Sequence, residues 1–219
     1  MNARELYARY QIPPNLQEHM LRVTFVAGQI CDRWRGPQLD RGTITTAALT
    51  HDLGNLLKFD LVHKAHFLGS EEKNVEHWKK VKQELMLKYG EDENVATNEM
   101  CKEIGIDPKA FWIVNNWGFS HFEQVKDSQS WEYKICVYSD HRVGPFGLLT
   151  LGDRFADQQA RYKLQGHQSA HVSDQFEKLR DCAYEVEKQI QEHVSVDLNA
   201  LVMHDVQSVF DTLLSVAIA

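Results

Sequence analysis

Residues 43–55, TITTAALTHDLGN, decide the fold. Ile44, Ala47, Ala48 and His51 recur at three- and four-residue steps, which is one face of an α-helix. Gly54 stands where such a helix would stop. His51 and the adjacent Asp52 therefore sit at the end of an apolar helix. Neither side chain is stable on a buried face without a partner, because desolvating it is costly. A divalent cation satisfies both. Imidazole nitrogen with carboxylate oxygen suits the middle of the first transition row, and magnesium less well.

The segments on either side repeat the helical period. Leu16, His19, Val23, Val26, Ile30 and Trp34 form one apolar stripe, and His19 lies in it. Residues 55–69 are looser and rich in Leu, Phe, His and Lys. Ser70, followed by Glu71 and Glu72, reads as the N-cap of a helix that stops at Gly90. Further helices are expected over about 93–104, ended by Gly105, and after Asp107-Pro108, a cap followed by a first-turn proline. Residues 131–141 read as another, with Pro145 and Gly147 marking its exit; it carries Asp140 behind Ile135, Cys136 and Tyr138. Residues 158–173 are polar and poorly periodic, a loop or a frayed helix end. Two apolar stripes follow, Phe176 to Val194 and Leu198 to Val216, and together they suggest an antiparallel helical hairpin. The fold class is all-α: a single domain over 1–219, with a core of about 5–155 and a C-terminal helical extension of about 156–219.

Composition is that of an ordinary globular chain: 219 residues, 43% hydrophobic and 25% charged. A net charge of −7 gives no general attraction to long nucleic acid. No stretch approaches the ~20 apolar residues of a membrane span. MNARELYARY lacks the apolar core of a signal peptide, so a cytoplasmic protein is expected. Cys31, Cys101, Cys136 and Cys182 are too widely spaced for a zinc knuckle and read as reduced, buried thiols.

Three helices can thus deliver His19, His51, Asp52 and Asp140 to one ion. The order His19, then His51-Asp52 within THDLGN, then the distant Asp140 resembles the H…HD…D pattern of the HD-domain superfamily. QEHMLRVTFVAGQI is similar to that family's first helix, AALTHDLGN to its AALLHDIGK-type segment, and YSDHRVGPFGLLTLGDRF to the stretch carrying the last aspartate. The resemblance covers about residues 5–155. It implies an all-helical core, one or two divalent metals and hydrolysis of phosphate esters, often in nucleotides.

The expectation is a metal-dependent phosphohydrolase acting on a small phosphorylated molecule, a nucleotide foremost, with one ion chosen among Mn, Co, Fe, Ni and Mg. Asp52 would both ligate the ion and orient the attacking water. Asn55 departs from the Glu or Lys that many family members carry after the HD pair, and asparagine is no general base. Of the histidines available to a second metal, His121 is better placed than His77, and Asn94 stands where another would be sought; a single ion with His121 as proton donor to the leaving group, or as a phosphate contact, is the simpler reading. Arg22, Lys58, Arg142 and Arg154 are the candidate phosphate contacts, arginine forks matching phosphate geometry. His63 and His66 lie in the loose loop and are assigned nothing. Rival expectations are a non-catalytic metal- or nucleotide-binding signalling module and a di-iron oxygenase on the same scaffold. An exposed C-terminal stripe would suit a homodimer.

Overall fold

A computed structural model describes residues 1–144, 147–164, 170–203 and 206–218. The chain is all-α: α1 (Ala3–Arg9), α2 (Pro14–Asp32), α3 (Arg41–Thr50), α4 (Val75–Tyr89), α5 (Glu93–Ile104), α6 (Pro108–Asn115), α7 (Phe122–Asp127), α8 (Trp131–His141), α9 (Leu151–Leu164), α10 (Ala170–Gln191) and α11 (Val206–Leu214). Short 3₁₀ turns link them, and a two-residue ribbon pairs Val143 with Leu148 and Gly144 with Gly147. Among the described residues no helix is long and apolar enough to cross a membrane. All four cysteines are free and buried. Burial pushes the Cys136 thiol well above its ordinary value, which suits an inert packing residue.

The chain forms two compact units. The first comprises residues 1–21, 46–115 and 205–219. Its α1 opens with a capping box: Asn2 Oδ1 accepts from Glu5 N at 2.9 Å, and Glu5 Oε2 accepts from Asn2 N at 3.0 Å. α11 packs on α1, and the chain ends are tied by Ala3 N donating to Val216 O and Ile218 N to Met1 O. Tyr7 is buried and its hydroxyl donates to Leu49 O at 2.9 Å, so a carbonyl of the last turn of α3 is satisfied from α1. α5 begins at Asp92, whose carboxylate accepts from Asn94 N and Val95 N, and it ends at Gly105 with φ 75°, the left-handed stop its sequence implies. α6 likewise starts behind Asp107, which accepts from Lys109 N and Ala110 N.

The helix expected from Ser70 begins at Val75 instead. Residues Ala65–Asn74 form a 3₁₀ run broken at Gly69 (φ 61°), and the Glu71 carboxylate takes the side-chain donors of Asn74 and Trp78 rather than backbone amides. Once α4 begins, Trp78, Val81 and Leu85 form its buried face.

Gly54 stops nothing by positive φ, since its φ is −86°. It is glycine because α5 lies against it. A Cβ there would collide with the backbone oxygen of Glu93 and stand 2.8 Å from Thr97 N. Its own N–H donates to Thr97 Oγ1 at 2.9 Å. Gly54→Ala is therefore expected to destabilise by about 3 kcal/mol, the upper end of ordinary overpacking, because rigid backbone must move. A lowered urea midpoint checks this; an unchanged midpoint contradicts it.

The second unit comprises residues 22–45 and 116–204. Its centre is α8, buried on nearly every side from Tyr133 to Ser139, with α7 and α10 packed around it. α10 offers Phe176, Leu179, Ala183, Val186 and Ile190 at steps of three and four, all buried. Each large member of that stripe contributes about 1.5–3 kcal/mol on leaving water. The two C-terminal stripes thus meet different partners: α10 packs on α7 and α8, and α11 on α1. The polar stretch 158–173 is helical through Leu164 and again from Ala170; residues 165–169, and the expected exit at Pro145, lie outside the described residues.

Candidate metal centre

α3 ends at Thr50, and the turn that follows carries His51 and Asp52 before the 3₁₀ turn Asn55–Lys58. His51 is 5% exposed. Its Nδ1 lies 2.9 Å from Ala48 O, and a carbonyl can only accept, so Nδ1 carries the proton. In the neutral ring the lone pair is then on Nε2, the form in which imidazole serves as a metal ligand. Nε2 lies 3.7 Å from Asp52 Oδ2, and His19 Nε2 lies 3.5 Å from the same oxygen. The two imidazole rings are 5.4 Å apart, tilted by 60°.

Asp52 is steadied from its own turn. Asn55 Nδ2 donates to Asp52 Oδ2 at 2.8 Å, and Asn55 N donates to Asp52 O at 3.0 Å. The residue that the sequence singles out for lacking a basic group thus supplies a donor to the neighbouring carboxylate.

Asp140 is the penultimate residue of α8, half-buried beside His141. Its Oδ2 accepts from the indole Nε1 of Trp117 at 3.1 Å. His141 is buried against the rings of Phe119 and Phe122, with Nδ1 2.9 Å from Val137 O. Sequence reasoning assigned roles to neither Trp117 nor His141. A lone tryptophan in NNWGFSHF carries no signal that its N–H meets a carboxylate two dozen residues on.

Ligand atoms of His19, His51 and Asp140 all lie within 4.8 Å of one another. Donors sharing one ion at about 2.1 Å stand about 3–4 Å apart, so the trio can close on a single cation with small side-chain adjustment. Two imidazoles and a carboxylate suit Mn, Fe, Co or Ni, and Mg less well. Asp52 stands beside the two histidines.

The remaining sequence candidates separate. Lys58 is exposed and pairs with Glu93 at 3.2 Å. Arg22 lies on α2, one turn past His19. Arg154 on α9 is 3.6 Å from Asp157. His121 ends a 3₁₀ turn with Nδ1 3.3 Å from Gln124 Oε1. Arg142 corrects its expectation. It is 1% exposed; Nε donates to Leu149 O at 2.5 Å, and Nη1 to Tyr138 OH at 2.5 Å and to Leu198 O at 2.8 Å. Its fork is committed to the protein interior, so it is a structural cation rather than a phosphate contact. Sequence alone could not tell this, because an arginine one residue past a helix end is usually exposed.

No curated protein and no solved structure matches the chain significantly. The family model described as "HD domain" matches residues 16–126, about half of the chain, and includes His19 and the His51-Asp52 pair. The chain belongs to the HD-domain family, whose members are generally metal-dependent phosphohydrolases.

Proposed function

We propose that this chain hydrolyses a phosphate ester of a small molecule, a nucleotide foremost, at a single divalent ion held by His19, His51, Asp52 and Asp140. The observation that carries the reading is the convergence of the three donor groups within 4.8 Å in a chain of this family. When bound, such an ion lowers the pKa of a coordinated water toward ~7 and neutralises phosphoryl charge.

The side chains divide the remaining work. The Ala48 carbonyl selects the His51 tautomer, and Asn55 donates to one oxygen of Asp52, which restrains its carboxylate. An anchored carboxylate orients the attacking water, the kind of positioning that phosphoryl transfer relies on more than covalent help. Arg22, Lys58 and Arg154 are the proposed phosphate contacts, and His121 the proposed proton donor to the leaving oxygen.

Asp52→Ala tests the reading. With the fold intact by circular dichroism, phosphate release from a nucleotide and phosphate-ester panel should fall at least ~100-fold, the lower range for a lost acid–base or water-orienting group. Phosphate release at the wild-type rate would sink it. Tight nucleotide binding by wild-type protein without any turnover would move the reading to a binding module.

A further inference from the structure

The loop after α6 is clamped onto one side of α8 at two places. Tyr133 OH donates to Asn116 O at 2.6 Å, and Trp117 Nε1 donates to Asp140 Oδ2 at 3.1 Å. Tyr133 and Asp140 are seven residues apart, two helical turns, so they share a side of α8. Tyr133 is fully buried, which makes the first clamp rigid. Gly118, at φ 123°, occupies backbone space that side-chain-bearing residues rarely enter and lets the chain turn directly behind the indole. The loop has a further tie: Gln124 Nε2 donates to Asn116 Oδ1 at 3.4 Å. An indole N–H is a donor only, so its bond to a carboxylate has one polarity and one direction.

We propose that Trp117 is a positioning residue of the metal centre. Its Nε1–H holds the Asp140 carboxylate in the orientation that presents an oxygen to the ion shared with His19 and His51. The inference rests on the reading of Asp140 as a ligand. An aspartate has two rotatable bonds and two equivalent oxygens, and a fixed donor removes most of that freedom before the ion arrives. Outer partners of this kind typically carry ~10–100-fold in metal affinity.

The test is a double-mutant cycle on Co²⁺ affinity of the full chain, read by competition with a chromogenic chelator. The four proteins are wild type, Trp117→Phe, Asp140→Ala and the double variant. Phenylalanine keeps the ring and removes the donor. Trp117→Phe should weaken Co²⁺ by ~10–100-fold, shift the visible bands of the Co²⁺ complex, and cost nothing further in the Asp140→Ala background. Should Trp117→Phe fail to fold, Trp117→Leu also removes the Nε1 donor without supplying another and reads the same cycle. Weaker binding in Asp140→Ala with unchanged binding in Trp117→Phe overturns the role of Trp117 alone. Equal losses in both backgrounds overturn it too, since they mark a merely structural tryptophan. Wild-type affinity in Asp140→Ala removes the ligand reading beneath it.

Discussion

His51→Ala is expected to cost at least ~1000-fold in divalent metal affinity, beyond the ~10–100-fold that outer-shell partners carry. The side chain is buried, and its Nδ1 proton is committed to Ala48 O, so the imidazole has one nitrogen to offer and that nitrogen faces the Asp52 carboxylate. Alanine removes a donor that nothing nearby replaces in kind. The fold should survive, because the lost hydrogen bond to Ala48 O contributes only about 1 kcal/mol. Phosphate release should vanish with the ion. Isothermal titration of metal-stripped wild type and variant checks this, and equal affinities would remove His51 from the centre.

Arg142→Met is expected to act in the opposite way, on stability and not on substrate. The guanidinium is buried and bridges Leu149 O, Leu198 O and Tyr138 OH, with Glu187 Oε1 3.9 Å away. Methionine fills similar volume but leaves two carbonyls and a carboxylate without the cation, a loss of about 3–5 kcal/mol by analogy with a broken buried pair. At about 2–4 °C per kcal/mol for a chain of this size, Tm should fall by ~10 °C. The Michaelis constant of the folded remainder should stay where it was. A raised Michaelis constant with an unchanged Tm would return Arg142 to the phosphate-binding group where its sequence position first put it.

The contrast between these two residues shows what the sequence carries. His51 was legible because it stands in a periodic apolar helix next to an aspartate, and period plus residue type define both the burial and the need for a partner. The extents of α5, α6 and α8 were legible too, because Gly105, Asp107 and the helical period over 131–141 are local signals; the capping carboxylate of Asp92 and hydroxyl of Ser130 emerge from the structure. The start of α4 was not, because Glu71 bonds to side chains in place of the helix amides it was expected to face. Gly54 was read as a helix stop, yet its reason is the backbone of α5, some forty residues on. Arg142, Trp117 and Asn55 share that non-local character. Their roles depend on which acceptor each donor reaches, and residue type leaves that open. Asn55 is the sharpest instance: as a missing base it looked like a loss, while in place it anchors Asp52.

The most direct test of metal-dependent hydrolysis is to strip the protein of metal, reload it with Mn²⁺, Co²⁺, Fe²⁺, Ni²⁺ or Mg²⁺ in turn, and follow bound ion and released phosphate together across a nucleotide and phosphate-ester panel. One ion per chain is expected, with no phosphate release from the stripped protein and turnover that rises in step with occupancy. Phosphate release that persists in the stripped protein, or one tightly bound ion with no release from any ester, would contradict it.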